Sequence, residues 1–134
     1  PDMKVSIEKQ SDGTYIAYNT DGEHCTLIGT GDTVKEAKED FFNSIEEVSS
    51  DYVERGQTVP SELTAEVEFH FDISSLFEYY SMFNVSALGR YLGINPGLMR
   101  QYKKGDTPIS DAQLEKIETG IHRLATELAS LSLV

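Results

Sequence analysis

The chain has 134 residues, of which 39% are hydrophobic and 25% charged, with a formal net charge of −12. That composition fits one globular domain or two small ones. Its single cysteine, Cys25, excludes an intramolecular disulfide framework and fits a reducing cytoplasm; no apolar run reaches membrane-spanning length and no leader pattern opens the chain, so a cytoplasmic protein without membrane contact is expected.

In chain order, Met3, Val5 and Ile7 alternate with Lys4, Ser6 and Glu8, which predicts a strand with one buried face. The turn signal "SDGT" (11–14) leads into a second β-rich run, "TYIAYN" (14–19). A second turn, "DGEH" (21–24), precedes a brief third strand, "CTLIGTG" (25–31). Asp32 or Thr33 can cap a helix whose apolar stripe is Val34, Ala37, Phe41, Ile45, Val48 and Tyr52, with Lys38, Glu39, Glu46 and Glu47 on the other face. "RGQTVPSE" (55–62) ends it. In "TAEVEFHFDI" (64–73), Ala65, Val67, Phe69, Phe71 and Ile73 share one strand face, and Glu66, Glu68, His70 and Asp72 the other. The first module is therefore β-β-β-α-β, within an α+β chain.

After residue 73 the period becomes helical. Ile73, Leu76, Phe77, Tyr80 and Phe83 form a stripe, and 85–93, 95–105 and 110–134 read as three further helices, the last opened by Ser110 and Gln113 as a capping pair. A domain joint is expected at 72–73. Charge divides at the same place. Residues 1–72 hold five basic side chains against seventeen acidic, whereas 73–134 hold six of each, so all the net acidity lies in the first part. Such asymmetry points to two surfaces with different partners.

"YLGINPGLMRQYKKGDTP" (91–108) has the local features of a helix-turn-helix. Leu88, Leu92, Leu98 and Met99 supply a small shared core, and Gly89 sits where two helices must approach. Gly93 can end the first helix, Asn95 can cap the second, and Pro96 suits its first position. Arg100 and Gln101 are candidates for base edges, because both can make paired hydrogen bonds. Arg90, Lys103 and Lys104 are candidates for phosphates. Pro96 and Gly97 offer no side-chain hydrogen bond to a base, so the helix start, with Asn95, is expected to act as a phosphate site. With few cations, one copy would bind weakly, and two copies on two half-sites are expected. Leu114, Ile117, Ile121, Leu124, Leu128 and Leu131 recur at three and four. The first half of that stripe is expected to pack within the chain, and Leu124, Leu128 and Leu131 to pair two copies.

The strands followed by "GDTVKEAKEDFFNSIEEV" (31–48) resemble the HicB antitoxin family. "FDISSLFEYY" (71–80), the helix-turn-helix and "KIETGIHRLATEL" (116–128) resemble its longer variant with a C-terminal Cro/repressor-type DNA-binding domain. The resemblance implies that residues 1–72 are a partial RNase H-like toxin-binding module and residues 73–134 a DNA-binding and dimerisation domain. It also implies a type II toxin–antitoxin role: neutralising a small basic ribonuclease, HicA-like, by direct contact, and repressing the shared operon at operator DNA. A strongly negative surface would attract such a toxin and compete with RNA for it. Glu66, Glu68 and Asp72, on one strand face, are the candidate toxin contacts.

Other chemistry is weaker in the sequence. His24, His70 and His122 lack metal-ligand spacing, and "GTGD" (29–32) is too short for a phosphate loop. Neither a cofactor nor a metal is expected. Glu66, Glu68 and Asp72 raise the thought of two-metal hydrolysis, but the module is short for a nuclease, and a binding protein rather than an enzyme is expected. The alternatives are a stand-alone transcriptional regulator whose sheet module senses a ligand or protein, and a degenerate nuclease.

Overall fold

A computed structural model describes residues 2–22 and 25–134. The chain divides into two compact units, Pro1–Ser81 and Met82–Val134. The first is a four-stranded mixed sheet with helices. Its strands are β1 (Met3–Lys9), β2 (Tyr15–Asn19), β3 (Ile28–Gly31) and β4 (Val67–Phe71), in the order β3-β2-β1-β4. The pairs β1–β2 and β2–β3 are antiparallel, and β1–β4 is parallel. Between β3 and β4 run the helix α1 (Val34–Glu54) and a short 3₁₀ turn, Ser61–Thr64. The helix α2 (Ile73–Tyr79) follows β4.

Alternation along β1 and β2 puts Met3, Val5, Ile7, Tyr15 and Ala17 beneath α1, which contributes Val34, Ala37 and Phe41 to the same core. Thr33 caps α1 by accepting from the Glu36 amide, and the Glu36 carboxylate accepts from the Asp32 amide. Gly29 decides where α1 lies: a Cβ there would stand 2.2 Å from the Phe41 nitrogen. The helix backbone thus rests directly on β3, and the core-facing side chains of β4 at the opposite edge of the sheet (Val67, Phe69 and Phe71) stay half-buried.

The third strand begins three residues later than its β-rich composition suggests. Asn19 intervenes: its buried amide donates to the Cys25 carbonyl and accepts from the Leu27 amide, holding 25–27 as a loop. The turn at 21–24 lies partly outside the described residues. The unit boundary falls at 81/82 rather than 72/73, and α2 belongs with the sheet. The reason is chemical. Asp72 accepts from the Ser75 amide and from the Lys9 amide, while the Ser75 hydroxyl, fully buried, donates to the Ile7 carbonyl. Glu78 of α2 also accepts from the Val34 amide at the start of α1.

The second unit contains α3 (Val85–Leu92), α4 (Pro96–Lys104) and α5 (Asp111–Ser130). Asn84, Asn95 and Ser110 cap the three helices through their side chains. Gly93 and Gly105 end α3 and α4 in the left-handed conformation, with φ of 76° and 84°. Val85, Leu88, Leu92, Ile94, Met99, Tyr102 and Ile117 are its buried apolar residues. Leu92 of α3 lies against Gly120 of α5, where a Cβ would come within 2.1 Å of its side chain. No helix among the described residues is long and apolar enough to cross a membrane.

Candidate functional site

The three residues Gly93–Asn95 turn α3 into α4. Close packing holds the pair: a Cβ on Gly89 would meet Met99 Cγ at 2.8 Å and the Ile94 carbonyl at 3.0 Å. Met99 and Tyr102 of α4 are buried. On the other side of α4, Gly97, Arg100, Gln101 and Lys104 share one face by their three- and four-residue spacing, and Arg100, Gln101, Lys103 and Lys104 are all exposed.

Arg100 is held in place. Its guanidinium donates to the Ser86 hydroxyl on α3 at 2.7 Å. A side chain at Gly97 would crowd it, since a Cβ there would lie 3.5 Å from Arg100 Nη2. Gln101 Oε1 accepts from the Thr107 hydroxyl at 3.1 Å, which ties the residue to the loop that follows α4. Arg90 is exposed one turn beyond Ser86 on α3. Sequence reasoning singled out Arg90, Arg100, Gln101, Lys103 and Lys104, and the structure brings them onto one helix pair. It missed Ser86, because a serine that orients an arginine fourteen residues away leaves no local pattern.

The start of α4 differs from expectation as an anion site. Pro96 has no N–H, and Asn95 Oδ1 already accepts from the Gly97 and Leu98 amides at 2.8 and 3.2 Å. The Met99 amide donates to the Asn95 carbonyl. No amide of that first turn is left for a phosphate oxygen, so Asn95, Pro96 and Gly97 shape the turn. Two other cations serve the fold. Lys116 donates to the Gly93 carbonyl at 3.2 Å, and Arg123 lies 5.4 Å from the Tyr91 ring centre.

In α5 the leucine stripe divides midway. Ile117 is buried, Leu114, Ile121 and Leu124 are half-buried, and Leu128 is 54% exposed. The helix stops at Ser130, so Leu131, in extended conformation and 57% exposed, lies off the helical stripe. The chosen trio Leu124, Leu128 and Leu131 is therefore two helix positions and one residue of the tail.

In the first unit, Glu66 and Glu68 are exposed on the sheet face away from α1, with His70 Nε2 3.1 Å from Glu68 Oε1. Asp72 does not join them. Its carboxylate is committed to the Lys9 and Ser75 amides, because the chain turns into α2 one residue beyond the strand. Among the described residues, no group of three His, Cys, Asp or Glu side chains could hold a metal ion. His70 and His122 are both exposed and stand in separate units, and His24 lies outside the described residues. Acidic side chains also line an open hollow on α1, formed by Glu46, Glu47, Asp51 and Glu54 with Asn43 and Ser50.

Comparison with protein-family models, with curated proteins and with solved structures finds no match to this chain.

Proposed function

We propose that the protein is a HicB-type antitoxin: a sheet module that neutralises a small basic ribonuclease, joined to a helix-turn-helix that represses its own operon. In this reading α3, the turn and α4 form the DNA-binding element. Arg100 and Gln101 read base edges, and Arg90, Lys103 and Lys104 meet phosphates. The first unit, a partial RNase H-like fold in this reading, offers its carboxylates, Glu66 and Glu68 among them, to the toxin. Leu124 and Leu128, with the tail at Leu131, pair two copies so that two half-sites are engaged.

The observation that carries the reading is the partition of charge between two folded units. Residues 1–81 hold eighteen acidic side chains against five basic, while residues 82–134 hold six basic against five acidic, four of the six on α3 and α4. An acidic surface draws in a protein built to hold RNA.

The test has two arms. The chain should retard a duplex carrying the promoter region of its own gene more than a scrambled duplex of equal length. Co-expressed with the small basic protein encoded beside it, the chain should co-purify with that protein and suppress its cleavage of RNA. Operator binding without any such partner would replace this reading with a stand-alone regulator. RNA cleavage by the pure chain with Mg²⁺, lost on Glu68→Ala, would replace it with a nuclease.

A further inference from the structure

The two edges of the sheet are treated differently. At β3 the chain covers its own edge: the outward amide of Thr30 donates to the Asp40 carboxylate of α1 at 2.9 Å. At β4 nothing comparable occurs among the described residues. Parallel pairing with β1 uses the backbone of Glu66, Glu68, His70 and Asp72, as in the bonds from the Met3 amide to the Glu66 carbonyl and from the Asp72 amide to the Ile7 carbonyl. The amides and carbonyls of Val67, Phe69 and Phe71 therefore point outward, along a five-residue edge with no proline, no break in its register and no charged residue of its own on the apolar face, over which only Lys38 of α1 reaches. Proteins usually blunt such an edge, because it is a template for another strand.

We infer that β4 pairs with β4 of a second copy of this chain, antiparallel about a two-fold axis at Phe69, making one continuous eight-stranded sheet. The residue order makes the edge complementary to itself. In this register Phe69 faces its own counterpart, and Val67 faces Phe71 of the second copy. All three positions have outward backbone groups, so they form the hydrogen-bonded pairs of an antiparallel ladder. The alternate positions then place Glu68 opposite His70 of the second copy, and His70 opposite its Glu68. An acceptor thus meets a donor twice on the exposed face, where a like-charged pair would oppose association.

The apolar face suits the same arrangement. Phe42 lies 5.9 Å from Phe69, and Phe71 stacks on Tyr79 at 6.0 Å. Lys38 Nζ sits 4.4 Å from the Phe69 ring centre and 4.3 Å from that of Tyr79. This layer is half-open because α1 rests over β3, and Phe42 is 42% exposed. A second copy would continue it across the junction. The interface uses neither the leucines of α5 nor the basic face of α4, and it stands independently of the proposed function.

Cross-linking of the full chain tests the register. Glu68→Cys and His70→Cys are combined in a Cys25→Ser background. Facing residues at such non-hydrogen-bonded positions have Cα atoms about 4.5 Å apart, inside the disulfide range of roughly 4.4–6.8 Å. Mild oxidation should convert the double variant to a covalent dimer, at least several-fold more than either single variant. Both positions are exposed, so folding is not at stake. In parallel, Phe69→Asp added to the double variant should abolish the covalent dimer. No covalent dimer in the double variant, or equal yields from the single ones, overturns the pairing. So would protection of β4 amides from hydrogen exchange only after a basic protein is added, which would assign the edge to that partner.

Discussion

Asp72 shows how one side chain can decide a boundary. In sequence it continues the alternation of Glu66, Glu68 and His70, and so it looks like one more carboxylate on an open strand face. In the fold its two oxygens serve the Ser75 and Lys9 amides, ending the strand and starting α2. Asp72→Ala should cost about 1–2 kcal/mol in urea denaturation, the value of a lost N-cap, while leaving DNA retardation intact. Three acid groups also tie stability to alkaline pH. Burial lifts the Tyr15 phenol above its ordinary value, with Glu78 and Asp72 adding to it. The hydrogen bond to Glu8 lifts that of Tyr18. Burial followed by the nearby Glu62 lifts the Cys25 thiol. Each group stays protonated more readily when folded than when unfolded. Their contribution is thus complete below the unfolded values and is lost as pH rises through the folded ones. The unfolding midpoint should hold steady through neutral pH and fall above about pH 9–10. Tyr18→Phe, which removes one of these protons, should flatten that fall.

At the scale of elements, caps and periodicity carried most of the information. The stripe in α1, the cap at Asn95 and the left-handed glycines at 93 and 105 are local features, decided by residues within a few positions of one another. Packing between elements was much less legible. Gly29 reads as the end of a short strand, yet its lack of a side chain sets the seat of α1. Gly29→Ala should therefore destabilise the first unit by about 3 kcal/mol or more, since the clash is with backbone that cannot turn aside. Gly13→Ala is a poor control because φ there is 87°, a conformation that itself penalises alanine; Ser50→Ala, exposed on α1, is a better one. In α4, Arg100→Ala with Gln101→Ala should lower preference for the operator by about 1–3 kcal/mol per half-site. Lys103→Ala and Lys104→Ala should weaken binding to any duplex alike, each reducing the salt dependence by about one unit of slope. In the proposed DNA-binding role, Ser86→Ala should cost operator preference while leaving affinity for scrambled DNA unchanged, because its hydroxyl accepts from the Arg100 guanidinium.

For the whole molecule, the division of charge predicts opposite behaviour of two associations under one variable. Association of the acidic unit with a basic protein should slow steeply as salt rises from low to physiological strength, measured as the association rate on a sensor surface. The β4 pairing joins two copies of an acidic module and depends on backbone hydrogen bonds and aromatic contact. Its cross-linking yield should therefore hold or rise over the same range.

The sequence by itself determined the α+β class, the β-β-β-α-β order followed by helices, the caps and the segregation of acidic from basic residues. All of these depend on composition or on residues close along the chain. Only the tertiary structure decided that α2 belongs with the sheet, that Arg100 rests on Ser86, that the first amides of α4 are already taken and that one sheet edge is left open. The taken amides of α4 follow from the neighbouring Asn95 cap, but the others depend on groups farther apart in the chain meeting at hydrogen-bond or van der Waals distance, and no periodicity records such a meeting.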